Sequence, residues 1–373
     1  MLSNLDQQEG EETINDEAWF REEITPALAE LEVQRQRRKT SLLKRVALSY
    51  LVFIPALTIL FFMEPFTLVK HAGASEDMIA LILTTLMLLF YAGAVFFLLL
   101  RWPYAPMQEY KELYKYEVLP AVAELLGDFK YYYLIFPYGR KLSSLFSLKE
   151  FSGGTDFNGR KDMKDLRVSK IVPKHDYFEF EDYFRGTYKG VDVHFSEVRL
   201  IEQKYKRGKG RKKIEDGCEV LFEGVFAYLD LGHTKYAGHT VIDYNRNSLG
   251  ELLQEFRTDL KRANMVDSRF EDLIDVYTND QVEARYMIDP IIIERLTEFY
   301  KKAQGQKMRC ALYDEGKGRH HMKMLIMIET GRNSFEPPSF FSSAINYDQL
   351  DKLRKQMYSV LEIVDVMNLE NER

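Results

Sequence analysis

The residues with the most chemical potential are a run of cations, Lys204, Lys206, Arg207, Lys209, Arg211, Lys212 and Lys213, in the segment KYKRGKGRKK. The tetrapeptide Gly-Lys-Gly-Arg recurs at Gly316 to Arg319, where Lys317 and Arg319 precede His320 and His321. Cations on glycine-containing turns could hold phosphates or anionic headgroups, at about 1 kcal/mol for each one near a charged membrane. They do not form a nucleotide loop, because the G-x-x-x-x-G-K-[ST] spacing and its strand-to-helix context are missing. Both runs lie between strand-like segments and read as hairpin tips, for which a solvated loop is the plainer role. If both tips lined one cleft, they could clamp a phosphate ester for hydrolysis or transfer.

Other reactive groupings are sparse. His233 and His239 are six residues apart and no H-E-x-x-H spacing occurs, so no metal site is expected. There is no G-x-S-x-G nucleophile motif, and Cys218 and Cys310 sit in strand-like patterns as small apolar residues rather than in a C-x-x-C pair. His194 reads as a solvent-facing strand residue. Glu197 and Glu223 could pair as carboxylates on adjacent strands, although surface acids usually serve ion pairs. Asp280, Glu283 and Arg285 are expected to fix, by an ion pair, the corner between a strand and a helix that starts at Asp289-Pro290. No catalytic residue and no cofactor is expected.

The elements that must carry these residues begin with charge. The net charge of -6 over 373 residues hides a segregation: ten acids against Arg21 alone in Met1 to Gln34, then Arg35, Arg37, Arg38, Lys39, Lys44 and Arg45 without an acid. Two uncharged apolar runs follow, Val46 to Met63 and Met78 to Leu100, the second 23 residues long and so able to cross a bilayer core of about 30 Å. Pro55 should kink the first. Six cations before the first run and Arg101, Lys111 and Lys115 after the second orient both termini to the cytosol. Trp102 and Tyr104 suit the headgroup level. A cleavable signal peptide is disfavoured, since a charged segment precedes the apolar run and no small-residue cleavage pattern follows it.

The expected layout is a disordered acidic tail (1–15), a cytosolic helix with the basic collar (16–45), a first span (46–63), a short external connector (64–77) and a second span (78–100). A membrane-proximal helix (101–128) and a cytosolic domain (129–373) complete it. Thr25-Pro26 resembles a helix start, and Leu28 and Leu31 share a stripe with Ala27. Met107, Tyr110, Tyr114, Val118, Ala121 and Leu125 form another, so the two helices should pair as an antiparallel stalk; the alternative lays the first flat on lipid through Arg35 to Arg45. The fold class is membrane-anchored α+β: two transmembrane helices extended into a stalk, and a mainly antiparallel sheet with packed helices.

Strands are expected at Tyr131 to Phe136, Val191 to Leu200, Glu219 to Asp230, Thr240 to Tyr244, Ala284 to Ile288, Met308 to Tyr313 and Met322 to Ile328. Val191, Val193 and Phe195 alternate, and Val198 and Leu200 resume out of phase, which implies a bulge near Ser196 and Glu197. Helices are expected at Ser248 to Arg262, Pro290 to Lys302 and Tyr347 to Leu369. The last has a heptad seam that either docks on its own sheet or builds a homodimer.

The run Phe270 to Leu296, with Val276-Tyr277, Asp280, Glu283-Ala284-Arg285-Tyr286, Pro290 and Glu294-Arg295-Leu296, resembles the signature of a bacterial two-span membrane-protein family catalogued as a domain of unknown function. Phe184 to Leu200, VLFEGVFAYLD and KYAGHTV are similar to its strand motifs. The resemblance implies an inner-membrane location and carries no activity or cofactor. The expected role is a non-enzymatic, membrane-tethered binding or scaffold module. Its partners are the bilayer, anionic headgroups and an unidentified protein; nucleic acid is excluded by the nearly balanced charge of the domain.

Overall fold

The computed structural model describes residues 17–59, 77–138, 166–207, 213–233, 237–244, 259–263, 274–288, 290–302, 307–314, 321–331 and 334–366. The expected acidic tail, the end of the first span and its connector lie outside the described residues. The chain divides into a helical unit, Ala18–Val118 with Glu336–Tyr347, and a sheet unit built from Leu119–Phe335 and Asp348–Arg373.

In the helical unit, α1 (Glu17–Leu48) passes through Pro26 rather than starting there, and the Thr25 hydroxyl turns back onto the Arg21 carbonyl. At the helix end a π-helical turn, Ser49–Phe53, precedes Pro55: the Ile54 N–H bonds the Ser49 carbonyl, five residues back. This wider turn takes up the ring and missing N–H of the proline without ending the helix, which runs on to Ile59. Among the described residues this run, Ala18–Ile59, is the one long and apolar enough to cross a membrane.

Next come α2 (Asp77–Phe96), a second π turn at Phe97–Arg101, and α3 (Ala105–Leu113). Thr58 meets Tyr91 at 3.2 Å, Phe53 packs edge-on against Trp102, and Arg38 pairs with Glu109 at 3.4 Å. Residue numbers rise on one side as they fall on the other, so the segments run antiparallel. Phe20, Ile24, Leu28, Leu31, Arg35 and Leu42 form the buried face of α1, at steps of three, four and seven. Beyond α3 the expected stripe slips. A π turn at Tyr114–Val118 leads into α4 (Leu119–Leu125), so Val122 and Leu126 are buried where Ala121 and Leu125 were expected.

The stalk has a third element that the helical pattern did not announce, a non-helical strap, Glu336–Tyr347, with a turn at Ser339–Ser342. Tyr347 meets Thr25 at 3.2 Å and lies under the Arg21 guanidinium, and the Ala344 N–H donates to Glu32 at 2.7 Å. The Phe340 carbonyl accepts from Arg35 at 2.8 Å, its ring stands edge-on to Tyr110, and Glu336 pairs with Lys111 and Lys115 at 2.8 and 3.1 Å. From Phe340 to Tyr347 the strap thus follows α1 back from Arg35 to Arg21.

In the sheet unit nine strands pair antiparallel in the order β1-β2-β3-β4-β9-β8-β5-β7-β6. They are β1 (Lys130–Tyr138), β2 (Tyr177–Tyr188), β3 (Val191–Arg207), β4 (Lys213–His233), β5 (Thr240–Asp243), β6 (Lys261–Arg262), β7 (Asp275–Thr278), β8 (Met308–Asp314) and β9 (His321–Ile328). The helices are α4, α5 (Gln281–Met287), α6 (Pro290–Lys302) and α7 (Tyr347–Val366). The α7 seam residues Leu350, Leu353, Met357, Val360 and Val364 are buried within the chain itself.

Two expectations fail locally. Ala284 to Ile288 is helical, because Asp280 caps α5 and accepts from the N–H groups of Val282 and Glu283 at 2.9 and 3.1 Å. The described end of the helix expected at Ser248 to Arg262 is β6, held to β7 by pairing and by Arg262 with Asp275 at 2.7 Å.

The phase slip in β3 is real, but its bulge lies in the neighbouring strand. The register between β3 and β4 runs unbroken from Asp192 to Leu200. In β2, Asp182 and Tyr183 together oppose Ser196, and Asp182 takes φ +54°. Val193 and Phe195 therefore bury one face of the sheet, with Phe184 stacked on Phe195 at 4.7 Å and Phe129 beside it. Val198 and Leu200 bury the other, packing with Phe178, Phe180, Phe226 and the Leu166–Val172 segment. The chain leaving β9 passes so close to β4 that a Cβ at Gly224 would sit 2.1 Å from the Ile328 carbonyl, so only glycine fits there.

The strap generates a pH prediction. The Arg35 fork, at 2.6 and 2.8 Å, together with the Ala344 amide and Gln36, lowers the Glu32 carboxyl to about 2 against the opposing effect of burial. Its stabilising contribution is complete above the ordinary carboxylate value of 4.5 and is lost as pH falls toward about 2. Glu32→Gln should abolish that acid dependence and, at neutral pH, weaken the hold on the strap by about 1–2 kcal/mol. Hydrogen exchange of residues 336–347 reads this directly; unchanged protection in the variant would show that Glu32 does not hold the strap.

Candidate functional site

Where β2, β3, β4 and β9 lie side by side, one face of the sheet carries a polar row. Alternation puts Asp192 and His194 of β3 on one face, Tyr228 and Asp230 of β4 lie opposite them, and Lys323 of β9 opposes Asp230. The Tyr183 hydroxyl contacts His194 Nδ1 at 2.5 Å, while His194 Nε2 lies 3.0 Å from Asp192, which also meets Arg185 at 3.5 Å. One strand further on, Asp230 accepts from the Gly232 N–H and pairs with His321 at 2.9 Å, and Lys323 lies over the Tyr228 ring. Burial raises the Asp192 carboxyl, but the His194 hydrogen bond and charge, with Arg185, outweigh it and hold the group below its ordinary value.

A tyrosine, an imidazole and a carboxylate in series could relay a proton. Here Tyr183 is buried, and its hydroxyl meets the ring. The row joins four strands through side-chain contacts on one face of the sheet. Sequence reading placed His194 in solvent because alternation reveals its face and nothing about Tyr183, which reaches it only through the β2 bulge.

The other candidates fall into place separately. Lys204 is exposed and held by Glu202 and Glu219 at 2.6 and 2.7 Å. Lys206, Arg207 and Lys213 lie on the paired ends of β3 and β4, while Lys209, Arg211, Lys212, Lys317 and Arg319 are outside the described residues. The first tip joins Arg207 to Lys213 at the start of β4, and the second precedes His321, which pairs with His233 at the end of β4. The described residues that flank the two tips thus lie at opposite ends of β4.

Glu223 joins Glu179 in holding Arg199, the ion-pairing role expected of a strand acid, whereas Glu197 of β3 lies opposite Glu181 of β2. Glu283 and Arg285 lie two residues apart on a helix rather than on one strand face, and Asp280 acts as its cap. His239 contacts the Ser169 carbonyl at 2.9 Å, and among the described residues no three His, Cys, Asp or Glu side chains converge as a metal site. Cys310 is buried, with its thiol pushed up by burial; Cys218, expected to be apolar filling, is exposed beside Gln203.

The class defined so far is an α+β sheet domain in a chain that also has a long apolar helix. Residues 220–369, from the middle of β4 through α7, match a family model described as "Protein of unknown function (DUF3137)", and the run Phe270 to Leu296 lies inside that match. No curated protein and no solved structure matches the chain.

If the row is one network, Tyr183→Phe and His194→Gln should each cost about 1–2 kcal/mol and together less than their sum. Denaturant unfolding of the four proteins in this cycle would show a coupling of about 1 kcal/mol; strict additivity would mean that the contact is incidental.

Proposed function

We propose that this chain is a membrane-tethered, non-enzymatic module that presents its α+β unit to a protein partner at the cytosolic face of a bacterial inner membrane. In this reading α1 with its extension to Ile59 forms the first span, α2 forms the second, and both termini are cytosolic. One observation carries it: of the most apolar 18-residue window in the Ala18–Ile59 run, 11% is buried. A core helix of a soluble protein would be covered. Here Leu51 is 76% exposed, and on α2 Phe90 is 73% exposed, with Leu86, Leu89 and Phe96 also open. Apolar surface on this scale needs a hydrocarbon solvent.

A second reading makes the module a sensor of anionic lipid through its basic hairpin. It is favoured by the register, since β2 pairs β3 only as far as Ile201 and β9 pairs β4 only from Val225. Residues 202–207 and 213–219 therefore pair with each other beyond both neighbours. Neutralising Lys209, Arg211, Lys212 and Lys213 should reduce flotation of the protein with anionic vesicles; unchanged flotation would remove this reading.

Topology tests the main proposal. Labelling tags at Met1, Gly73 and Arg373 in intact cells should reach Gly73 alone from outside. Access at either terminus would overturn the two-span arrangement, and release of the protein by alkaline carbonate would overturn the tether itself.

A further inference from the structure

In the sheet unit Arg185, Lys189, Arg199, Lys204, Arg262 and Arg309 each lie within ion-pairing distance of a carboxylate. In the stalk Arg35, Arg38, Lys111 and Lys115 do the same. Lys44 and Arg101 are exposed and, like Arg37 and Lys39 earlier on α1, have no ion pair or hydrogen bond among the described residues. They flank a single contact in sequence: Arg45 lies over the Trp102 ring, 5.7 Å from its centre, and donates to the Trp102 carbonyl at 3.3 Å. That contact brings the end of α1 and the π turn after α2 to one level, with an unsatisfied cation next to it on each helix.

Apolar surface follows on the same side of each cation. Leu48 and Leu51 come four and seven residues after Lys44, on its helical stripe, and are 40% and 76% exposed. Phe97, four residues before Arg101, is 50% exposed. On both helices a bare cation caps an open hydrocarbon surface, which is the complement of an amphiphile with a negative head. A zwitterionic headgroup brings its own cation and gains little here, whereas a net anionic phospholipid neutralises both side chains.

We propose that Lys44 and Arg101, positioned by the Arg45–Trp102 contact, hold the headgroup of an anionic phospholipid whose acyl chains lie along Leu48, Leu51 and Phe97. This rests on the reading of α1 and α2 as spans. Each cation contributes on the order of a five-fold preference for anionic lipid, and the preference weakens with salt.

The test uses the full chain with Trp19→Phe, which leaves Trp102 as the one remaining tryptophan. The protein is reconstituted in phosphatidylcholine vesicles containing some phosphatidylglycerol, with one lipid or the other brominated near the headgroup end of its acyl chains. Brominated phosphatidylglycerol should quench Trp102 several-fold more, per molecule, than brominated phosphatidylcholine. In Lys44→Gln/Arg101→Gln the ratio should fall to near one. Equal quenching before those substitutions would overturn the headgroup site and leave the anchor standing. A preference that survives them would overturn it equally, by assigning the lipid to other groups. Quenching by neither lipid would instead overturn the anchor on which the inference rests.

Discussion

A guanidinium that is 3% exposed has to find acceptors inside the protein, and the helical unit is organised around that need at Arg35. Taking a full charge out of water costs several kcal/mol, which is recovered only where the fork is matched in direction and in charge. Glu32, one turn earlier on α1, supplies the charge, and the Phe340 carbonyl supplies the remaining acceptor. The second requirement brings the strap onto the stalk. Once Phe340 is held there, its ring meets Tyr110, the Ala344 amide reaches Glu32, and Tyr347 arrives beside Thr25 without further constraint on the chain. The desolvated stalk charge thus selects a segment distant in sequence as its third packing element.

The sheet unit has its own governing constraint, the bulge at Asp182 and Tyr183. Strand side chains alternate with a strict period of two, so a strand can change the face it buries only by changing where its apolar residues fall or by gaining a residue. Here β3 does the first and β2 the second, at the same level, which lets one sheet bury two cores on opposite faces along its length. The cost is a buried aspartate with positive φ, held by the Tyr131 hydroxyl. The same bulge turns Tyr183 toward His194, so the polar row depends on the geometry that divides the cores.

How much of this was legible in sequence follows from the range of the interactions. Periodicity reports local burial, and on that basis α6, α7, β5, β8 and β9 came out close to their observed bounds. It failed where a short-range hydrogen bond outweighs alternation, as at Asp280, and where the helical period itself changes, as at Tyr114–Val118. The strap was invisible because an irregular segment such as Glu-Pro-Pro-Ser-Phe-Phe has no period; its position is set by Arg35 and Glu32, some 300 residues away. The second basic tip was legible as a hairpin, while its separation from the first required the register of β4 with β9. No local pattern in the chain encodes that register.

The distribution of charge connects these observations. The chain has 57 acids and 51 Lys or Arg residues, so acids are numerous enough for every cation to be paired. Several cations are paired, even exposed Lys204, which takes two carboxylates, while Arg37, Lys39, Lys130 and Lys174 have none among the described residues. At the junction where α1 enters its apolar stretch and α2 leaves its own, Arg45 turns to an aromatic face and Lys44 and Arg101 to nothing within the described protein. An unpaired cation at this level costs little while water reaches it. It becomes favourable when a negative surface lies alongside, and that dependence on surroundings sets such a cation apart from one already held by a carboxylate.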